Sequence, residues 1–436
     1  MAPAASALSF SVRRSNPVLV TPAEPTPHEL KRLSDIDLQR GQRTVVSGIW
    51  FYASNPAMRG KEPAAVVRDA LSKALVYYYP FAGRLREAPD RRIVVECTGE
   101  GALFAEADAN VRLEELEGEL QPPFPCTEKF FCNAQEGAGG FLDSPLLLVQ
   151  VTRLACGGFV MGVEHNHAVA DAQGLVQLLQ AMGELARGAP SPSLLPVWRR
   201  ELLAARDPPR VTCVHREFED SGEAPKELPD GWVLRSFFLH PARPAELKKQ
   251  LPDDLRASAT TFDVLAAYIW RCRTVALRLE PEEAVRALCF VTTRGRFPVL
   301  APDGYYGNSF AHPAAVTTAG GLCGRPMEYA VRLVREAKSQ VTEEYMRSAA
   351  DLSAIRGWPY PVASPGTVMV SDLRHVRFRD VDFGWGKALY AGTSDTFTPV
   401  CIFTAHRDPC SGEEGIMVSI RLPPAAMERF AREMKA

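Results

Sequence analysis

The sequence lacks a strong net charge and a long apolar run. Its 436 residues carry a formal net charge of −2, which excludes bulk electrostatic attraction to nucleic acid or anionic membranes. The N-terminus has no cationic start followed by a sustained apolar stretch, and no later stretch approaches the length of a membrane span. We therefore expect a cytoplasmic protein with neither a membrane span nor a nucleic-acid partner.

Paired cysteines are also absent. Ten cysteines are dispersed along the chain, and none of them forms a C-x-x-C pair or lies near histidines at zinc spacing. This pattern is typical of reduced thiols that serve mostly as small core residues. The hydrophobic content of 46% and the charged content of 23% are those of an ordinary globular protein, so we expect neither disulfides nor a structural metal.

A proline-rich stretch divides the chain into near-equal halves. The chain exceeds the size at which one hydrophobic core usually stops growing, so two domains are expected. Prolines interleaved with charges follow the first half, at Pro190, Pro192, Pro196, Pro208, Pro209, Pro225 and Pro229. We predict a first domain over residues 1–188, a crossover linker over residues 189–230 and a second domain over residues 231–436.

Strand and helix patterns alternate along both halves, which predicts an α/β protein. The predicted strands are Val45–Tyr52, Ile93–Cys97, Leu146–Val151, Phe159–Glu164, Val233–Leu239, Ala287–Val291, Thr367–Val370, Val400–Thr404 and Gly415–Ile420. The clearest helix runs from Pro63 to Tyr78 and stops before Pro80. Another helix begins near Thr260 and Thr261, whose hydroxyls are N-cap candidates.

One short segment carries the chemistry. His167 and Asp171 lie four positions apart where an apolar strand gives way to a helical pattern, which indicates a general base and its structural support. The spacing alone is weak evidence, because His215 and Glu219 repeat it in a charged, proline-flanked stretch where we expect no core. The apolar setting strengthens the first pair, since titratable groups among buried strands need an explanation.

A second motif makes the resemblance specific. His167 to Asp171 matches an H-x-x-x-D motif, and Asp382–Gly386 reads D-F-G-W-G. Both motifs, in this order, resemble the plant BAHD family of acyl-CoA-dependent acyltransferases. The stretches Leu33–Asp37 and Cys97–Asp108 are similar to the branch that contains benzyl alcohol O-benzoyltransferases and related alcohol acyltransferases.

The resemblance implies an α/β fold of two domains like chloramphenicol acetyltransferase, with a solvent channel at their interface. It implies acyl-CoA as co-substrate, an alcohol as acceptor, no permanently bound cofactor and a monomer. A benzoyl donor is favoured, with acetyl next. A hydroxycinnamoyl donor or a terpenoid alcohol acceptor is the alternative within the family.

The resemblance also implies residue roles. His167 is the general base, and Asp171 braces the site by pairing with Arg294. Asn308 and Ser371 are candidates for stabilising the oxyanion or positioning CoA, with turn formation as the alternative. Thr260 and Thr261 are candidates for contacting the CoA phosphate arm, with N-capping as the alternative. The C-terminal motif, which consists of Asp382, Phe383, Gly384, Trp385 and Gly386, is expected to be structural.

Three rival hypotheses remain open. His165, His167 and Asp171 form a conceivable metal site, although a metal-bound imidazole is unavailable as a base. Ser309, Asp382 and His406 follow in the chain order of an α/β-hydrolase triad, but Ser309 lacks the strand-to-helix context of a nucleophile elbow. The third hypothesis is a non-catalytic relative that binds a small molecule or a protein partner.

Overall fold

The computed structural model describes residues 9–116, 120–132, 141–219, 231–362, 364–396, 399–407 and 412–435. Within them the chain is mixed α/β. The strands are β1 Val12–Arg14, β2 Val18–Val20, β3 Leu30–Arg32, β4 Val45–Tyr52, β5 Arg84–Glu87, β6 Ile93–Glu96, β7 Ala102–Ala109, β8 Leu147–Leu154, β9 Phe159–Asn166, β10 Val233–Leu239, β11 Ala284–Cys289, β12 Val291–Thr292, β13 Phe310–Ala311, β14 Ala314–Thr318, β15 Thr367–Asp372, β16 Tyr390–Thr393, β17 Val400–Arg407 and β18 Glu414–Leu422. The helices are α1 Pro63–Tyr77, α2 Leu113–Leu116, α3 Ala172–Ala186, α4 Arg243–Lys249, α5 Asp253–Ser258, α6 Thr261–Leu277, α7 Ala319–Gly324, α8 Met327–Ser339, α9 Glu343–Ile355 and α10 Pro424–Glu433.

The first large sheet has the order β1-β7-β8-β9-β4-β16, with β2 also paired to β7. Helices α1 and α3 pack against each other over one face, where they meet Trp50 and Tyr52 of β4. The neighbouring residues Ile49 and Phe51 point to a separate core on the opposite face, as the two-residue period of a strand requires. Both faces are therefore buried, which explains the near-continuous apolar strands in this half.

The second large sheet has the order β10-β18-β17-β15-β11-β14. One of its faces packs against helix α6, which in turn contacts α8 and α10. Helix α6 begins with a capping box in which Thr260 accepts from the Asp263 amide and the Asp263 carboxylate accepts from the Thr260 amide. The predicted helix start near Thr260 is confirmed.

One strand of the C-terminal half belongs to the first sheet. Strand β16 pairs antiparallel with β4, so that Tyr390 lies opposite Phe51. Phe383 and Trp385 are buried in the same core as helices α1 and α3. The structure therefore differs from a division that assigns every residue after 231 to the second domain. The physical reason is that these large rings find their buried surface on the first sheet.

The proline-rich crossover packs against the rest of the protein more than a linker pattern implies. The backbone of Val197 bridges to Tyr305, and Leu203 is buried in the core of the second half. Residues 220–230 of the predicted linker lie outside the described residues. Upstream of them, the expectation that His215 has no core around it is wrong, because its ring is buried against Tyr345.

The predicted strands are found within a few residues of their expected ends, and Val45–Tyr52 and Val233–Leu239 match in full. Strand β7 was not predicted, because its sequence Ala-Leu-Phe-Ala-Glu-Ala-Asp-Ala is poor in β-branched residues. Each of the nine described cysteines is a free thiol. Among the described residues, no helix combines the length and the apolar character needed to cross a bilayer.

Candidate active site

The turn between β9 and α3 presents His167. Strand β9 ends at Asn166, and the His167 amide donates to the Thr44 carbonyl over 2.9 Å. The Asn166 side chain accepts from the Ala168 amide at 3.1 Å, which closes the turn. Helix α3 then starts at Asp171, whose Oδ1 caps the Gly174 amide at 2.9 Å. The sequence thus places His167 on a turn that is fixed at both ends.

The His167 imidazole is only partly exposed. Its Nδ1 is fully buried and makes no hydrogen bond in the part of the chain that the structure describes. Nε2 is therefore the ring nitrogen on the accessible side. Burial lowers the pKa of His167 below its ordinary value of 6.5, while its own backbone carbonyl and Asp171 oppose this shift. The ring is accordingly neutral near pH 7, the state that a general base needs.

Asp171 and Arg294 form the predicted contact. Nη1 of Arg294 donates to Oδ2 of Asp171 over 2.6 Å, and the two side chains are 12% and 10% exposed. Arg294 also donates from Nε to the Tyr305 carbonyl at 3.1 Å and from Nη2 to the Gly307 carbonyl. This arginine therefore ties the start of α3 to the 305–307 backbone of the other half.

Asn308 joins the same junction in an unexpected way. Its Nδ2 donates to the His167 carbonyl at 2.7 Å and to Oδ1 of Asp37 at 2.9 Å. Both amide hydrogens are thus used within the protein. Asn308 is therefore not free to donate to an oxyanion, which was one of the roles expected from the sequence. The buried carboxylate of Asp37 also binds Nη1 of Arg200 at 3.2 Å.

Asp37 and Arg200 were missed in the sequence. Asp37 lies in the Leu33–Asp37 stretch, which we noted only as a family likeness, and Arg200 lies in the stretch interpreted as a linker. Asp37 is flanked by the apolar residues Ile36 and Leu38, and this flanking was the available signal for a buried carboxylate. Its partner lies 163 residues away, and no local pattern identifies a pair so distant.

An aromatic cluster of the second half lies beside the His167 ring and reaches it through Phe310. The ring centroid of Phe310 lies 6.4 Å from that of His167, edge to face. Phe290 and His312 pack against Phe310 with centroid distances of 5.2 Å each. Burial followed by repulsion from His167 lowers the pKa of His312 to about 3, so it is neutral over the physiological range. The wall beside His167 is therefore aromatic and uncharged.

The C-terminal motif lies at the far end of β9. Trp385 packs edge to face on Phe159 at 5.2 Å, and Phe159 lies eight residues before His167, or about 25 Å along an extended strand. Oδ1 of Asp382 accepts from the amides of Gly384 and Gly386 at 2.7 and 2.8 Å. Both glycines have positive φ, which explains their identity. The motif shapes its own loop and is remote from His167.

Thr260, Thr261 and Ser371 have other local partners or surroundings than the His167 turn. The hydroxyl of Thr260 is used for capping α6. Thr261 lines a cleft of about 470 Å³ that also includes Lys248, Arg374 and Arg379. Ser371 lies on β15 beside Asp372, which binds Arg374 at 2.6 Å. In the described part of the chain, no side-chain hydrogen bond joins any of the three to His167.

Comparisons with known proteins decide the family. The model of the Transferase family matches residues 10–436. The chain belongs to this family. Benzyl alcohol O-benzoyltransferase of Petunia hybrida is 50% identical over 435 residues, which cover 98% of this chain and 94% of that protein. Alcohol acyl transferase 1 allele RGb of Malus domestica is 47% identical over 438 residues, 98% of this chain and 96% of that protein. The predicted BAHD acyltransferase and its branch are confirmed.

Solved structures confirm the fold. Vinorine synthase superposes with a TM-score of 0.74 at 22% identity and covers 96% of each chain. The TRI101 protein of F. sporotrichioides, in complex with coenzyme A and T-2, superposes with a TM-score of 0.71 at 17% identity and covers 93% of this chain and 98% of that one. The predicted two-domain α/β architecture is thus the architecture of this acyltransferase.

The rival site hypotheses find other partners for their residues. Nε2 of His165 bonds to the Ala170 carbonyl at 3.0 Å, and Asp171 is engaged by Arg294 and Gly174. Neither is poised to share a metal with His167. For the hydrolase hypothesis, the Ser309 hydroxyl is buried and bonded to that of Thr293. Asp382 caps its own loop, as described above.

Proposed function

We propose that this acyltransferase moves an acyl group from acyl-CoA to the hydroxyl of an alcohol, with His167 as general base. The observation that carries the proposal is the partly exposed, neutral His167 ring, whose buried Nδ1 leaves Nε2 for the substrate. Asp171 and Arg294 brace the turn without touching that nitrogen. The expected solvent channel follows the junction of the two halves, where His167 meets Asn308 and Phe310.

The reaction needs one proton carrier and no enzyme nucleophile. Nε2 of His167 takes the hydroxyl proton as the alcohol oxygen attacks the thioester carbonyl. A tetrahedral oxyanion forms, the carbon–sulfur bond breaks, and the proton passes from the imidazolium to the departing CoA thiolate. Ester and CoA leave, and the ring returns to its neutral state. Intact-mass measurement of protein mixed with acyl-CoA alone should show no acyl adduct, and a stable adduct would contradict direct transfer.

A basic cleft supports acyl-CoA as the co-substrate. Lys248, Arg374 and Arg379 outnumber the single acid, Glu414, among its lining residues, and Thr261 stands at the start of α6. Cations and a helix N-terminus together suit a phosphate-rich ligand. We assign this cleft to the phosphate arm of CoA. Lys248→Ala should raise the KM for acyl-CoA while the KM for the alcohol stays unchanged.

A benzoyl donor and a benzylic acceptor are our first choice of substrates. The likeness to benzyl alcohol O-benzoyltransferase supports both. The uncharged aromatic wall of Phe290, Phe310 and His312 beside His167 suits a planar apolar acyl group. Acetyl is the next donor, and hydroxycinnamoyl donors or terpenoid alcohols are the alternatives within the family.

A matrix of acyl-CoAs against alcohols and amines, with ester and amide products identified by mass spectrometry, tests the proposal. Benzoyl-CoA with benzyl alcohol should give the highest kcat/KM. Amide products in place of esters would contradict O-acylation. A failure of every pair, with acyl-CoA still bound, would favour the non-catalytic relative. We also propose that the protein is a cytoplasmic monomer. Light scattering on the purified protein tests whether it is monomeric.

A further inference from the structure

The carboxylate of Asp37 connects three segments that are far apart in the sequence. It is fully buried and accepts the amide and hydroxyl of Ser34 at 3.0 and 2.7 Å. It accepts Nη1 of Arg200 at 3.2 Å and both the backbone amide and Nδ2 of Asn308 at 3.0 and 2.9 Å. Buried charge with this many donors is held in one orientation.

Arg200 anchors this carboxylate and reaches the His167 turn directly. Its side chain is 1% exposed, and Nη2 donates to the Val169 carbonyl at 2.7 Å. Val169 lies between His167 and Asp171. A Cβ placed on Gly307 would stand 1.2 Å from Nη1 of Arg200, so the residue before Asn308 leaves the guanidinium its space. Arg200, Asp37 and Asn308 thus pack as one unit.

The hydrogen bonds of Asn308 fix which way its amide points. Nδ2 gives one hydrogen to Asp37 and the other to the His167 carbonyl, so the amide cannot flip without losing both bonds, and Oδ1 is left free of these two partners. Asn308 Oδ1 and His167 Nδ1 are both buried at this junction, and among the described residues neither atom makes a hydrogen bond. Burial lowers the pKa of His167, and the Asn308 amide opposes this shift together with the ring's own backbone carbonyl and Asp171, which act more strongly.

We propose that Asp37, anchored by Arg200, is a positioning residue that turns the Asn308 oxygen toward Nδ1–H of His167. This contact holds the proton on Nδ1 and leaves the Nε2 lone pair for the alcohol proton. It also stabilises the imidazolium that forms when Nε2 is protonated. The inference rests on the proposed role of His167 and explains how that role is enforced. Asn308 acts through His167 and does not touch the substrate.

The first test is Asn308→Ala, which removes the acceptor without stranding the charge of Asp37 beside Arg200. We expect kcat for benzoyl-CoA and benzyl alcohol to fall about 10- to 100-fold with little change in either KM. The acidic limb of the kcat/KM profile should move to lower pH, because the contact that raises the pKa of His167 is lost. An unchanged kcat or an unmoved limb would overturn the proposal.

The second test compares two buried aspartates of the same segment. Asp35 is as buried as Asp37, yet it binds Arg92, the Ala205 amide and Trp358 and makes no contact with Asn308. Asp37→Asn and Asp35→Asn should both lower the Tm, but only Asp37→Asn should lower kcat at a temperature where both are folded. Equal losses of kcat would overturn the proposal.

Nitrogen-15 NMR of histidine-labelled protein reads the tautomer itself, with His167→Gln assigning the signal. Wild type should carry the proton on Nδ1, and Asn308→Ala should show a mixture of tautomers. A wild-type proton on Nε2 would overturn the positioning role. If His167→Ala stays active, the base assignment fails. If His167→Ala is inactive while Asn308→Ala keeps full kcat, only this inference fails.

Discussion

Nη1 of Arg294 lies 2.6 Å from Oδ2 of Asp171, and this contact joins the two halves of the molecule beside the His167 turn. The same aspartate caps helix α3 through its other oxygen, Oδ1, which accepts from the Gly174 amide. One carboxylate therefore performs two separable tasks, since each oxygen serves a different partner. His167, the proposed base, lies on a turn whose C-terminal end is fixed by the Asp171–Arg294 ion pair between the two halves.

The two tasks of Asp171 predict a graded loss of stability. Asp171→Asn keeps an oxygen for the cap but loses the ion pair, and it should reduce the free energy of unfolding by about 3–5 kcal/mol because Arg294 is left buried without its partner. Asp171→Ala also removes the cap and should reduce it by about 1 kcal/mol more. Denaturant titrations measure both values. Equal losses for the two variants would show that the cap contributes nothing.

Two buried histidines predict acid sensitivity. Burial lowers the pKa of His165 and of His312 to about 3, against 6.5 for an ordinary histidine. Below about pH 6.5 the unfolded chain therefore binds protons that the folded chain does not, so stability falls as the pH decreases. The slope is about 1.4 kcal/mol per pH unit for each histidine.

The variant His312→Gln should reduce the slope of the unfolding free energy against pH by about 1.4 kcal/mol per pH unit, the contribution of one histidine. Unfolding titrations between about pH 4.5 and pH 6 measure this slope. His28→Gln is the matched control, because the side chain of His28 is 71% exposed. If both variants keep the wild-type slope, His312 does not titrate differently in the folded and unfolded states.

His215 predicts a structural role for the crossover. Its Nδ1 and Nε2 lie 2.9 Å from Glu217 and from the hydroxyl of Ser348, and Tyr345 donates to the same Glu217 oxygen at 2.7 Å. His215→Ala should lower the free energy of unfolding by about 2–4 kcal/mol, because it strands buried polar partners. The kcat of the folded variant should equal that of wild type. His375→Ala is the control, because His375 is exposed and its side chain makes no hydrogen bond in the described part of the chain, and it should leave both quantities unchanged.

Replacing a helical glycine by alanine usually stabilises a protein, but the packing of the C-terminal motif on α3 predicts the opposite effect at Gly183. A Cβ on Gly183 would stand 2.6 Å from the Asp382 carbonyl oxygen. Gly183→Ala should therefore lower the free energy of unfolding by about 1–3 kcal/mol. Gly324→Ala, in α7 with no atom within 4 Å of its new Cβ, should be neutral or gain up to about 1 kcal/mol. Thermal unfolding distinguishes the two, and a Gly183→Ala variant more stable than wild type would contradict the packing.

The sequence predicts what is local and misses what is distant. The strand before His167 and the helix after Asp171 follow from hydrophobic periodicity, and the cap of α6 follows from Thr260 and Asp263. The Asp37–Arg200 pair and the return of β16 to the first sheet depend on contacts across 163 residues and more than 300 residues. Such contacts are set by how whole elements pack.

Proline content misled the interpretation of the crossover. Prolines and charges between Pro190 and Pro209 are typical of a surface linker, yet Arg200 and Leu203 are buried there. The explanation is that the crossover passes between the two halves, so that its charged side chain finds a buried carboxylate. Composition shows whether a segment forms helix or strand more reliably than it shows what the segment lies against.

The most direct test of the account is kcat with benzoyl-CoA and benzyl alcohol for wild type and His167→Ala, with His165→Ala as the control for a neighbouring buried histidine. If His167 is the general base, His167→Ala should lose about 10²- to 10⁴-fold in kcat, the usual contribution of a general base, while folded His165→Ala should keep most of its kcat. Undiminished turnover by His167→Ala would contradict the central claim that this imidazole takes the proton of the alcohol.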